Sequence, residues 1–138
     1  MWSLYIIDIA CFLLVIFFFI LFLQSGLDKV FNRDDNISYF RSQFKDTYFS
    51  YFILLLFWII TLLECFTAIV CLLSLLFLLS VKTISLAYNL LAFGLILSNI
   101  TIMCLFLGQR IAKDYAGAAS LAVYFLVSIL GLLLLNFI

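Results

Sequence analysis

Residues 51–79 read YFILLLFWIITLLECFTAIVCLLSLLFLL, and a single charged side chain, Glu64, stands in the run. A membrane span needs about 20 predominantly apolar residues. This run is longer, so its first turn is expected in the headgroup region. Three further apolar runs flank it: residues 2–23, interrupted only by Ser3 and Asp8, residues 84–107 and residues 116–138. Four spans in so short a chain predict an all-α integral membrane four-helix bundle, residues 1–138 forming one domain.

Composition agrees with that reading. Of 138 residues, 69% are hydrophobic and 10% charged, against about 45–50% and about 25% in soluble domains. A core of this size could not cover so much apolar surface, so lipid is the solvent for most of the chain. A soluble enzyme, a disordered linker and a nucleic-acid-binding protein are excluded. The absence of histidine excludes Ser-His and Cys-His catalysis, histidine-ligated haem and histidine-containing metal sites. The absence of proline leaves no helix kinked by one. Cys11, Cys65, Cys71 and Cys104 lie in apolar runs without a CxxC pair, and read as small buried apolar residues. The first run lacks a basic leader and exceeds the about 7–15 residues of a signal-peptide core, so it is expected to be a retained helix.

The largest polar segment is residues 24–50. Ile37, Phe40, Phe44 and Tyr48 recur in it at three- and four-residue spacing, with Ser38, Arg41, Ser42 and Lys45 opposite. This predicts an amphipathic interfacial helix over residues 36–48, after the first span. Asp34, Asp35 and Asn36 offer caps just before it. The helix either covers the bundle end or docks a partner. Basic residues set the orientation: Lys29, Arg33, Arg41, Lys45, Arg110 and Lys113 fall in the first and third loops, and only Lys82 in the second. Loops 1 and 3 should face the cytoplasm, with the termini outside. Trp2, Tyr5, Tyr39, Tyr48, Tyr51 and Tyr115 fit an interfacial belt. Small residues predict close helix approach at Ala87, Gly94, Ser98 and Thr101, and at the pairs Ala116–Ser120 and Ala118–Ala122.

An ionisable side chain within a span is costly and points to function. Glu64 is the clearest, about 10 Å deep at 1.5 Å per residue. On its side of the membrane lie Gln24, Asp28 and Lys29 at the end of the first span. Gln109, Arg110, Lys113 and Asp114 stand before the fourth. Gln24 and Asp28 are four apart, as are Arg110 and Asp114, and each pair shares a helix face. Pairing Glu64 with Arg110, Lys113 or Lys29 would satisfy it. Two readings follow. One is a polar pocket in the leaflet, suited to a quinone headgroup or another polar-headed lipid, or to a proton relay through Glu64. The other is an ion-pair network that locks the helices. Asp8 is a second intramembrane acid near the opposite face, with Lys82, Asn89 and Asn136 as potential partners.

The segment Gln24-Ser25-Gly26-Leu27-Asp28-Lys29-Val30-Phe31, with its Gly-x-x-Lys-like turn, resembles the DoxX family. So do the acid in Thr61-Leu62-Leu63-Glu64 and the run from Gly108 to Ala119. The resemblance covers the whole chain in length and span pattern. It implies a small four-helix protein of the bacterial cytoplasmic membrane, associated with redox chemistry. Some DoxX members are subunits of a thiosulfate:quinone oxidoreductase, and the related MauE group assists maturation of an amine dehydrogenase. Neither implies a set of catalytic residues for this chain. Three functions are therefore expected, in order: a subunit or accessory factor of a quinone- or thiol-linked redox system; a non-catalytic scaffold or assembly factor; and a small-solute or lipid transporter. A non-catalytic subunit is favoured over an enzyme acting alone. A quinone is the one cofactor considered. The lipid bilayer, a redox partner subunit and further copies of the chain are the partners considered.

Overall fold

The computed structural model describes residues 2–138, with side chains from Ile6 onward except Val81. Trp2 and Tyr5 of the expected belt lie outside the described side chains. Five helices follow in order: α1 (Trp2–Phe31), α2 (Arg33–Phe44), α3 (Ile53–Leu78), α4 (Ile84–Ile111) and α5 (Tyr115–Leu134). Short 3-10 turns cover Tyr48–Phe52, Val81–Thr83 and Leu135–Phe137. No strand occurs among the described residues. Four helices are long and apolar enough to cross a membrane. The chain is an integral membrane four-helix bundle with a short helix after its first span.

Helix α3 is central and packs against both α1 and α4, while α5 packs on α4. The core joins Cys11, Val15, Phe18 and Phe22 of α1 to Ala68 and Cys71 of α3 and to Leu91, Leu95 and Ile102 of α4. Apolar burial gives little drive between helices already in lipid, so close packing and interhelical hydrogen bonds matter more. Ala87, Gly94, Ser98 and Thr101 are buried together on α4 as their spacing predicts. A Cβ at Gly94 would lie 3.4 Å from Cys71 Sγ. Ser74 Oγ donates to the Ala87 carbonyl at 2.9 Å, and Ser128 Oγ donates to the Leu95 carbonyl at 3.2 Å. The two hydroxyls of Thr67 and Thr101 lie 3.4 Å apart. Helix α5 departs from expectation. Ala116, Ser120 and Ala122 are exposed, and its buried small residues are Ala118, Ser128 and Gly131. Gly131 receives the side chain of Leu14, and Tyr124 meets Phe17 with ring centroids 6.0 Å apart. These contacts form the thin seam between α1 and α5.

The helix ends differ from the sequence reading for identifiable reasons. Helix α1 does not stop near Leu23 or turn at Gly26; it continues to Phe31. Ser25 and Lys29 turn inward to a buried partner, so the polar residues there extend the helix instead of ending it. Helix α2 starts at Arg33, earlier than residue 36, and ends at Phe44. Asp34, Asp35 and Asn36 do not cap it: Asn32 holds the cap position, and the two acids occupy the first turn, where the helix dipole favours negative charge. Asn32 Nδ2 donates to Asp28 Oδ1 at 2.7 Å, and Asn36 Nδ2 donates to Asp28 Oδ2 at 3.0 Å and to the Asn32 carbonyl at 2.9 Å. These bonds fix the corner between α1 and α2. Phe40 packs edge-on against Phe57 of α3 at 5.6 Å, and Phe44 against Phe49 at 6.0 Å. Tyr48 falls outside α2 and is 93% exposed. Ser38, Arg41, Ser42 and Lys45 face outward.

Candidate functional site: a charged corner in an apolar cavity

Glu64 and Lys29 form a buried ion pair between α3 and α1. Lys29 Nζ lies 2.8 Å from Glu64 Oε2 and donates to Oε1 at 3.2 Å. Ser25, one turn before Lys29, completes the triangle. Its hydroxyl accepts from Lys29 Nζ at 2.8 Å and donates to Glu64 Oε1 at 2.8 Å. Glu64 is 1% exposed and Lys29 8%. The i, i+4 spacing of Ser25 and Lys29 puts both on one face of α1, and Gly26 lets that face approach α3. A Cβ on Gly26 would lie 2.9 Å from Cys65 Sγ. Oε1 is thus doubly hydrogen-bonded. Oε2 has the lysine charge beside it but no aligned hydrogen-bond donor among the described residues.

The triangle forms one corner of a cavity of about 500 Å3 beneath α2. Phe40, Phe44 and Phe49 form its aromatic side, and Ile60, Leu105 and Leu121 its aliphatic wall. Asn36, Gln43 and Gln109 add neutral amides. Tyr39, Ile59, Cys104, Leu107 and Ser120 also line it and are exposed at the outer surface. Ile59, Cys104, Leu107 and Ser120 belong to spanning helices, so the mouth opens sideways toward lipid. The volume falls within the about 300–1,000 Å3 of small-molecule sites.

The eight residues of the polar constellation separate in space. Lys29, Glu64 and Gln109 line the one cavity. Gln24 is exposed on the opposite face of α1, and Asp28 is exposed in the α1–α2 corner. Arg110 is exposed and lies over the Tyr115 ring at 4.7 Å, a cation–π contact. It is not the partner of Glu64, and neither is the exposed Lys113. Arg110 and Asp114 do not share a helix face, because a turn separates α4 from α5 between them. Lys113 takes a left-handed φ of 61° there. The Lys113 and Asp114 amides donate back to the Arg110 and Gln109 carbonyls at 3.2 and 2.9 Å, a Schellman closure. Asp114 then caps α5 by accepting from the Gly117 amide at 3.0 Å.

Ser25, Asn36 and Gln43 were not among the expected site residues. The signal for Ser25 is its one-turn spacing from Lys29. For the amides it is the face Asn36, Phe40, Gln43 and Phe44, which excludes the exposed Tyr48. Cys104 is not a buried filler, being exposed on the cavity wall; Cys11 and Cys71 are buried as expected. At the far end of the bundle, Tyr88 Oη donates to Asp8 Oδ1. Tyr88 is therefore the partner of Asp8, while Lys82, Asn89 and Asn136 are exposed. Near mid-span, Asn99 donates to the Leu95 carbonyl at 2.9 Å and leaves Oδ1 buried without a partner among the described residues. The described residues contain no group of three His, Cys, Asp or Glu side chains placed to hold a metal ion. Comparison of the chain with protein-family models, characterised proteins and solved structures gave no match.

Proposed function

We propose that this is a DoxX-like membrane protein acting as a subunit or accessory factor of a redox system, its cavity taking the head of a quinone or a similar amphiphile. The observation that carries this reading is the laterally open, mostly apolar cavity with one charged corner. A quinone head fits the residues present: Lys29 and the amides of Gln43 and Gln109 supply donors, and the aromatic side suits a flat ring. A bound quinone would supply the electron-carrying chemistry; this chain binds, orients and keeps water from the head. The distribution of basic residues favours a cytoplasmic position for α2 and the cavity mouth, in a bacterial cytoplasmic membrane.

Native mass spectrometry of the protein, extracted gently from its own membranes, tests this. The expected result is a retained quinone or a co-purifying redox subunit, with quinone retention lost in Ser25→Ala/Glu64→Gln. A protein that carries neither and takes up no added ubiquinone or menaquinone in nanodiscs overturns it. A second reading, a non-catalytic scaffold, is favoured by one observation: the ion pair is largely satisfied by Ser25 and itself clamps α1 to α3. Under it the outward charges of α2 dock a partner. Loss of that partner on Arg41→Glu/Lys45→Glu, with the cavity residues intact, would separate the two.

A further inference from the structure

The cavity has two charged side chains on its lining, and they neutralise each other. Lys29 and Glu64 are in contact at 2.8 Å; every other lining residue is apolar or a neutral hydroxyl, amide, phenol or thiol. The nearby cations lie elsewhere, with Arg110 held over Tyr115 and Arg41, Lys45 and Lys113 exposed outside the lining. An anionic head entering the corner would meet the Glu64 carboxylate and find no free cation to repay its lost hydration. A cationic head would meet Lys29. The open valence is of another kind. Glu64 Oε2 is buried with the Lys29 ammonium 2.8 Å away but no aligned hydrogen-bond donor among the described residues; a carboxylate oxygen accepts more than one bond, which favours a ligand group that donates to it.

We infer that the cavity takes uncharged heads, holds one bearing a hydroxyl more tightly than the carbonyl-only quinone, passes the apolar tail between the spanning helices into lipid, and excludes anionic phospholipid heads. This rests on reading the cavity as an amphiphile site. Two sources share the chemistry: a hydroquinone, the reduced form of the proposed occupant, and a hydroxyl-headed glyceride. In both, the hydroxyl donates to Glu64 Oε2 while a neighbouring oxygen accepts from Lys29 or an amide.

Cys104 on the cavity wall supplies the readout. The full chain in phosphatidylcholine nanodiscs is labelled with a maleimide, and the rate at Cys104 is followed by mass spectrometry under anaerobic conditions. Added decylubiquinol, monooleoylglycerol or phosphatidic acid is compared. At ten times its Kd an occupant should slow labelling about tenfold. Slowing by either hydroxyl head, with none by phosphatidic acid, is the expected result. Slowing by decylubiquinol alone assigns the redox source; slowing by both assigns the shared head chemistry. Phosphatidic acid acting as strongly as the hydroxyl heads would overturn the selectivity but leave the cavity an amphiphile site. No slowing by any of the three would overturn that underlying reading as well. In Glu64→Gln, with Lys29 left unpaired, phosphatidic acid should begin to protect Cys104. In Lys29→Met it should not. The wild-type comparison decides the inference even where a variant fails to insert.

Discussion

The carboxylate of Glu64 shows how one residue sets both the packing and the chemistry of this bundle. Isolated in lipid it would be costly; here Lys29 and Ser25 surround it at 2.8 Å each. Breaking a buried pair by removing one partner costs about 3–5 kcal/mol, because the other charge is left without compensation. Replacing both by apolar residues of similar size is often neutral or better. Lys29→Met and Glu64→Leu should therefore each lower the unfolding midpoint in detergent strongly, while Lys29→Met/Glu64→Leu unfolds close to wild type. Denaturant titration followed by tryptophan fluorescence checks this. Single losses below about 1 kcal/mol, the range of exposed pairs, would mean that water reaches the corner. The partner of Glu64 was only partly legible in the sequence. Spacing put Lys29, Arg110 and Lys113 at the same bundle end. The Schellman turn at Lys113 directs α5 away and leaves Arg110 on Tyr115. That geometry depends on a left-handed φ at a lysine, a position where glycine is the usual signal.

Between elements, the closest approach near the site is that of α1 to α3 at Gly26. Alanine there would gain about 1 kcal/mol in helix propensity. Its Cβ would sit 2.9 Å from Cys65 Sγ and 3.4 Å from the Cys65 amide nitrogen, and overpacking typically costs about 1–3 kcal/mol. Gly26→Ala should thus destabilise the bundle, and Gly26→Ala/Cys65→Ala should recover part of the loss, since the sulfur is removed while the backbone stays close. Thermal unfolding of the four forms in one detergent measures the coupling; strictly additive effects would mean that the two positions do not touch. The spans themselves were readable from apolar runs, because lipid demands long uninterrupted helices. Their ends were not. Ser25 and Lys29 look like the polar exit of a helix, yet they carry it onward to Phe31 because their partner lies inside. Helix α2 starts at Arg33 because Asp28, Asn32 and Asn36 bond across the corner, a tertiary arrangement that hydrophobic periodicity does not report. Likewise Asp8 finds Tyr88 in preference to the charged or amide candidates, since a phenol can stay in the apolar interior while donating one bond.

At the scale of the molecule, polarity is concentrated at one end. The cavity, helix α2 and six of the seven basic residues lie there, and Lys82 is alone at the other end with Asp8 and Tyr88. Loops rich in lysine and arginine are retained in the cytoplasm, and acids contribute little to that rule. The charge pattern and the cavity thus give a joint prediction: the mouth of the cavity opens in the cytoplasmic leaflet. Ser42 on the outward face of α2 and Lys82 in the turn between α3 and α4 are both exposed and are separated by the whole length of α3. With Ser42→Cys and Lys82→Cys made separately, a membrane-impermeant maleimide should label the second in intact cells and the first only after permeabilisation, the labelled residue being located by mass spectrometry. Labelling of both in intact cells would break the four-span bundle itself, because α3 could not then cross. The reverse pattern would keep the bundle but turn the cavity toward the outer leaflet. The polar corner would then serve a donor or acceptor outside the cell, and the excess of acids over bases in the α1–α2 corner, Asp28, Asp34 and Asp35 against Lys29 and Arg33, would have outweighed the basic residues that follow it.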